Sequence, residues 1–226
     1  MAGLGLFAMS CDKNKDVEPV DDGKEFRFIR LMVSDEKTNQ ITLVDAKTDV
    51  TQTFDAKFPK SAIYTTDAGR FGGIIHQDNN LVEHFDTGFE YHGDHVDVKG
   101  TPKFAALIGE RLKPTHYGSH GDEIITFNDG DGSMSTAKET DLHKVGMKMQ
   151  TIPTGNVAHH GAMVKFSNGN YAVTHKVGSI VGTLPERVKI IDKSGKLIAQ
   201  STIQTKGIHG NNSDGKIALL VRQVEF

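Results

Sequence analysis

The chain has 226 residues with 26 basic and 29 acidic side chains, a formal net charge of −3, and a single cysteine. This length allows a substantial buried core, while the overall polarity excludes a chain built of membrane spans. The near balance of charge excludes a strongly basic surface for nucleic acid, and one cysteine excludes an intramolecular disulfide or a multi-cysteine metal site.

The N-terminal segment differs in composition from the rest of the chain. Small and apolar residues at 1–10 precede Cys11, and a polar stretch at 12–23 follows. This order resembles the end of a bacterial lipoprotein signal, in which the cysteine is acylated and becomes the first mature residue. We therefore predict that residues 1–25 are a truncated lipoprotein signal and tether, that Cys11 carries a lipid anchor, and that the protein faces the periplasm. The alternative is a disordered N-terminus with an incidental cysteine.

Alternating apolar and polar residues predict short strands from residue 26 onwards. The first unit is a three-strand meander at 26–33, 40–44 and 50–54, and the second begins near Ser61. Turns at Asp45, Asp86 and Asp129 follow strands at intervals of 41 and 43 residues. Helical periodicity is scarce, although residues 137–143 are predicted to form a short helix at the rim. The pattern indicates an all-β protein.

The segment 91–97, between the second and third units, holds two histidines and two carboxylates within six positions. The side chains of His92, Asp94 and His95 are competent zinc ligands, and Gly93 permits a tight bend. We predict a surface loop that captures zinc weakly and exchangeably, because a flexible loop loads ions from solvent. The alternative is a solvated turn in which the same residues satisfy turn geometry.

Three histidines recur at one position in successive units. His116, His160 and His209 each stand beside a glycine, or one residue from it, ahead of a short apolar strand, and they are 44 and 49 residues apart. A period near 45 residues with several short strands per unit is typical of β-propeller blades. We predict an all-β, partial β-propeller of about four to five blades of a larger ring, formed by residues 26–226 and incomplete at its C-terminus.

Equivalent positions in successive blades face the same axial region, so these three imidazoles are expected to converge. Zinc is the first candidate, because it takes histidine nitrogen in tetrahedral geometry and needs no redox partner. His120 lies on the same strand face as His116 but about 13 Å away, so it can share the ion only if the chain turns at Gly118. Asp122 or Glu123 is a candidate to complete the shell or to orient an imidazole. The alternative is that each histidine is a hydrogen-bonded structural residue.

Five short motifs occur in order along the chain. They are GDHVD at 93–97, KPTHYGSHG at 113–121, AHHG at 158–161, LPERVKIID at 184–192 and GIHG at 207–210. Together they resemble, in the same order, segments of the AztD-type zinc chaperones. That family consists of periplasmic β-propellers that bind zinc and pass it to the solute-binding protein of a zinc ABC transporter. The resemblance implies that His116, His160 and His209 are central ligands and that His92 and His95 are loop ligands.

A site of three histidines without a thiolate leaves an open coordination position, into which a ligand from a recipient protein can insert. Binding is expected to weaken as pH falls through about 6.5, because protons compete for the imidazole nitrogens. Two other functions stay open from the sequence. One is a metal-dependent propeller hydrolase, in which the ion activates water, and the other is a metal-free interaction propeller.

Overall fold

The computed structural model describes residues 28–92, 95–178 and 184–222. The predicted signal, the tether and Cys11 lie outside these ranges, as do Gly93 and Asp94 of the predicted zinc-capture loop. Within the described ranges the regular structure is almost entirely antiparallel strand, with two short 3₁₀ helices at Gln77–Asn79 and Glu139–Asp141. The described residues contain no helix of the length and apolarity that a membrane crossing requires.

The strands form a row of sheets that follow one another along the chain. The first sheet contains β1 (Arg30–Ser34), β2 (Gln40–Asp45) and β3 (Thr51–Asp55). The second contains β4 (Ala62–Thr65), β5 (Phe71–His76), β6 (Leu81–Asp86), β9 (Lys103–Phe104) and β10 (Gly109–Glu110). The third contains β11 (Pro114–His120), β12 (Glu123–Asn128), β13 (Ser133–Lys138) and β14 (Gln150–Ile152). The fourth contains β15 (Met163–Lys165), β16 (Tyr171–His175), β17 (Arg187–Ile191) and β18 (Leu197–Gln200), and the fifth contains β19 (Ile208–Ser213) and β20 (Ala218–Arg222).

The first strand of each sheet contacts the first strand of the next: β1 contacts β4, β4 contacts β11, β11 contacts β15, and β15 contacts β19. Sheets stacked side by side, with their first strands adjacent along an axis, are the blades of a β-propeller. The predicted all-β propeller architecture is therefore confirmed. We call the end at which β11, β15 and β19 begin the upper end, and the opposite end of these strands the lower end.

The hydrophobic cores lie between successive sheets. In β5, Ile74 packs toward the first sheet and the adjacent Ile75 packs toward the third. In β12, Ile124 packs toward the second sheet and Ile125 packs toward the fourth. Since side chains alternate across a strand, neighbouring residues serve different cores, and a central strand is buried on both faces. This explains why β5 and β6 are buried along their whole length.

Two segments differ in detail from the sequence prediction. Residues 91–92 and 95–97 of the predicted loop belong to a hairpin formed by β7 (Phe89–His92) and β8 (His95–Val98), in which His92 is paired with His95. The hairpin lies at the lower end, because the Tyr91 amide donates to the carbonyl of Ala68 in the β4–β5 turn at 3.0 Å. The predicted helix at 137–143 is only the 3₁₀ helix, since residues 137 and 138 extend β13 and pair with β12.

Candidate metal centre

Three imidazole rings meet at the upper end of the first strands. The ring centroids of His116 and His160 are 5.2 Å apart, those of His160 and His209 are 5.0 Å apart, and those of His116 and His209 are 6.3 Å apart. Tetrahedral zinc with bonds of about 2 Å to imidazole nitrogen places ring centres about 5 Å apart. The structure therefore brings the three repeat positions together at a spacing compatible with one shared ion.

Two of the three histidines are aimed by β-bulges. Between the pairs Pro114–Asn128 and Tyr117–Thr126, β11 has two residues where β12 has one, and His116 is one of those two. The same two-against-one count occurs in β19, where His209 and Gly210 stand between paired residues. A bulge bends its strand and redirects a side chain. His160 needs no bulge, because it precedes the first residue of β15.

His160 is held by a carboxylate from the neighbouring sheet. Asp129, in the turn between β12 and β13, places Oδ2 2.8 Å from Nδ1 of His160, and its Oδ1 accepts the amide of Gly161 at 3.2 Å. The hydrogen bond that His160 donates to Asp129 raises the pKa of His160. In the neutral ring this bond keeps the proton on Nδ1, so Nε2 is left as the atom that can bind a metal.

The pKa of His116 is shifted in the opposite direction. Burial lowers its pKa to about 4, and the neighbouring His160 and His209 add to this effect. The ring is therefore neutral at pH 7, which is the form that binds zinc. Its Nε2 is buried and has no hydrogen-bond partner. A buried nitrogen without a partner costs stability and suits a place where a ligand completes the bonding.

The donor atoms do not form a finished ligand set. Within the described residues, no group of three or more His, Cys, Asp or Glu side chains is arranged to hold a metal ion. The ring centroids alone have the spacing that one shared ion requires. The residues present fit zinc by their chemistry, because they are neutral or neutralisable imidazoles with a supporting carboxylate.

His120 does not join this cluster. It lies at the lower end, with Nε2 2.9 Å from Oγ of Ser167 and Nδ1 3.5 Å from Oδ2 of Asp67. The chain does not turn at Gly118, which pairs with Ile125 in the middle of β11 and β12. The four-residue separation along a strand therefore keeps His120 about 13 Å from His116, too far to share an ion.

Glu123 and Asp122, the candidates to complete the metal shell or to orient an imidazole, form contacts with other side chains. Glu123 forms a hydrogen bond with the Tyr171 hydroxyl and an ion pair with Lys165 at 3.2 Å. Asp122 lies on the surface, 3.8 Å from the ammonium of Lys138. Asp129 was expected only as a turn residue. Its role could have been inferred, because the end of β12 lies beside the start of the antiparallel β11 and therefore near His116.

The predicted zinc-capture loop lies at the other end of the blades. The His95 side chain is exposed, with Nε2 3.8 Å from Oδ1 of Asp97. His92 ends β7, and Asp94 lies outside the described residues. Because this hairpin is at the lower end and the three rings are at the upper end, His92 and His95 do not share a site with the three rings.

A cavity of about 550 Å³ opens beside the cluster at the upper end. Its lining residues come from the second, third and fourth sheets and the loops that join them. They include Gln77, Asn80, Leu112, Lys113, Asp129, Ala158, His159 and His160. His159 itself packs inward, with Nδ1 2.7 Å from the carbonyl of Val157 and its ring 5.0 Å from that of Phe127.

The fold and the axial histidines define a β-propeller protein with a candidate metal centre. No known sequence family and no curated protein matches the chain. Among solved structures, the chain is similar to AztD from Citrobacter koseri, with a TM-score of 0.74 at 22% identity over 84% of this chain and 51% of that chain. A second structure, apo AztD from Citrobacter koseri, gives a TM-score of 0.74 at 21% identity over 84% of this chain and 50% of that chain.

Hydrazine synthase from Kuenenia stuttgartiensis is similar with a TM-score of 0.58 at 13% identity, over 84% of this chain and 51% of that chain. The fold of this chain thus matches AztD, which confirms the resemblance at the level of the fold. Identities in this range show shared architecture and leave activity open. The chain spans about half the length of these solved structures.

Proposed function

We propose that this chain is a zinc-binding metallochaperone that delivers zinc to the solute-binding protein of a zinc ABC transporter. The observation that carries the proposal is the meeting of three imidazole rings, from three successive blades, within 6.3 Å of one another. The fold shared with AztD supports it. Zinc is the cargo in this proposal, and no reaction is catalysed.

Ring rotation completes the ligand set in this proposal. His116, His160 and His209 already have suitable centre-to-centre spacing, so small rotations of the rings turn one nitrogen of each toward a common point. Three imidazoles leave the fourth tetrahedral position of zinc open. A ligand of the recipient enters that position before the histidines leave, and the ion is never released as a hydrated species.

The hairpin at 89–98 and the N-terminus extend the proposal to capture and location. His92, Asp94 and His95 form a separate, weak capture site, which loads zinc from solvent; His92 and His95 lie in the lower-end hairpin. Cys11 carries the lipid anchor that holds the protein at the periplasmic side of a membrane. Both statements rest on the sequence motifs.

The contacts of Asp129 favour transfer over hydrolysis. A metal-dependent hydrolase needs a carboxylate that accepts a proton from metal-bound water. Among the described residues, Asp129 is a carboxylate that contacts the cluster, and it accepts hydrogen bonds from His160 and from the amide of Gly161. It is therefore used to orient a ligand.

Zinc titration with alanine variants tests the site. We expect the wild-type chain to bind one zinc tightly at the cluster, and His116→Ala, His160→Ala and His209→Ala each to lose that binding. His120→Ala is the matched control and should keep it. Unchanged stoichiometry in all three cluster variants would exclude the site.

Transfer kinetics test the chaperone function. The zinc-loaded chain is mixed with an apo zinc solute-binding protein of an ABC transporter. We expect zinc to move faster than it dissociates passively, at a rate that rises with recipient concentration. A rate equal to passive dissociation excludes direct transfer.

A further inference from the structure

The cavity beside the three histidines has a larger volume than a hydrated zinc ion needs. A zinc ion with six waters fills about 200 Å³, at about 30 Å³ per water. The cavity volume is about 550 Å³, and His160 and Asp129 form part of its wall. Space therefore remains next to the metal site for several groups that belong to another molecule.

Two exposed apolar side chains lie at or next to the wall of this cavity. Leu112 lines the cavity and is 52% exposed, and Val157, which precedes the lining residue Ala158, is 53% exposed. Both contact the β12–β13 turn through their backbone: the Leu112 carbonyl accepts the Gly130 amide at 3.0 Å, and the Val157 carbonyl lies against Gly132. Each is thus carried on backbone that packs against the turn containing Asp129. Exposed apolar groups held around a polar site are typical of protein interaction surfaces.

A basic residue also lines the cavity, directly after Leu112 in the chain. Lys113 lines the cavity, and its backbone is fixed by a bond of 2.9 Å from its amide to Oδ1 of Asn80. Among the described residues its ammonium has no ion-pair partner. A lysine in the wall of the cavity favours a carboxylate on the incoming molecule. Carboxylate and imidazole groups are also the groups that can accept zinc.

We infer that Leu112, Lys113 and Val157 form the surface on which the zinc recipient docks, and that a carboxylate-bearing loop of this recipient protein enters the cavity beside His160. This inference rests on the proposed function. A protein is favoured over a small zinc-carrying molecule because Leu112 and Val157 are half exposed. A ligand enclosed by the cavity leaves these exposed side chains in water, whereas a protein surface covers them.

Transfer measurements with variants of these residues test the docking surface. A double variant, Leu112→Ser with Val157→Ser, is loaded with zinc and mixed with an apo zinc solute-binding protein of an ABC transporter. We expect its transfer rate to fall at least tenfold, with zinc affinity unchanged. Lys113→Glu should slow transfer further as salt is lowered, because it repels the acidic loop. The matched control is Ile198→Ser, at a site in the outer strand β18 that is 53% exposed, and it should transfer at the wild-type rate.

A small chelator distinguishes docking from simple access to the ion. Removal of zinc by ethylenediaminetetraacetate should be equally fast from the wild type and the double variant, because a chelator needs no docking surface. Equal slowing toward chelator and protein overturns the inference, as does wild-type transfer by the double variant. Either result leaves the proposed function standing if the wild type still transfers zinc faster than passive dissociation. Failure of the wild type itself to bind or transfer zinc removes the proposed function instead.

Discussion

Asp129 and His160 belong to different blades, yet Oδ2 of the first lies 2.8 Å from Nδ1 of the second. The turn that carries Asp129 ends β12 of the third sheet, and His160 precedes β15 of the fourth. The contact fixes which imidazole nitrogen is available and also ties two blades together at the upper end. The electrostatics of the candidate metal centre therefore depend on how the blades pack.

Asp129→Asn removes the negative charge and keeps the size of the side chain. We expect the affinity for zinc to fall about 10- to 100-fold, because a carboxylate partner increases the basicity of a ligating histidine. Competition titration against a zinc-binding dye measures this, and the stoichiometry should stay the same. Asp131→Asn is the matched control in the same turn, because Asp131 bonds Ser133 and no imidazole. Wild-type affinity in Asp129→Asn contradicts the assigned role.

His116→Leu tests whether the metal centre costs stability when no ion is bound. Nε2 of His116 is buried and has no hydrogen-bond partner, so an apolar replacement should raise the free energy of unfolding of the zinc-free protein by about 1 kcal/mol. The same variant should lose the stabilisation that zinc gives to the wild type. Urea denaturation with and without zinc measures both effects.

His160→Leu provides the contrast for that experiment. It removes the bond to Asp129 and should therefore destabilise the zinc-free protein. A lower stability of zinc-free His116→Leu than of the wild type would show that the unpartnered nitrogen is not a cost.

The blade pattern could be predicted from the sequence because it depends on local signals. Strand alternation and the spacing of Asp45, Asp86 and Asp129 place the strand ends, and each of these residues ends a strand or follows one directly. The recurrence of a histidine near the start of successive first strands is a consequence of the same repeat. The near approach of the three rings then follows from radial packing.

The remaining features of the site depend on the register between strands and on contacts between sheets. A bulge is defined only by how two strands pair, so the bulges at His116 and His209 carry little sequence signal beyond Gly210. The link between Asp129 and His160 joins residues 31 positions apart in different sheets. His120 was a reasonable ligand candidate by composition, and its position was decided by β11 continuing straight through Gly118.

Gly210→Ala tests the bulge in β19. Gly210 has a φ of 107°, which a residue with a Cβ adopts only with strain. The nearest heavy atom to a Cβ added at this position is Cβ of Val221, at 3.9 Å. Space is therefore sufficient, and the cost of about 1–3 kcal/mol comes from the backbone. We expect the strand to relax, His209 to leave the cluster, and zinc affinity to fall in a competition titration.

Gly118→Ala is the matched control for this substitution. Gly118 lies in β11, and a Cβ there would meet only Cγ1 of Ile125 at an ordinary distance of 3.8 Å. This variant should keep both stability and zinc affinity. Equal zinc affinity in the two glycine variants would show that the bulge does not aim His209.

His84 should make the protein sensitive to acid independently of zinc. The ring is fully buried in β6, with Nδ1 3.2 Å from the Tyr117 hydroxyl, and burial lowers its pKa to about 3. The unfolded chain binds a proton at His84 below about pH 6.5, whereas the folded protein does not until about pH 3. The contribution of His84 to the free energy of unfolding is therefore complete above pH 6.5 and is lost as pH falls toward 3, with a slope of about 1.4 kcal/mol per pH unit.

In His84→Phe, the free energy of unfolding from urea titrations should fall less steeply with acid by about this slope, although the lost hydrogen bond lowers its value at pH 7. His84→Phe would follow the wild-type slope if the buried imidazole were protonated as easily in the folded protein as in the unfolded chain.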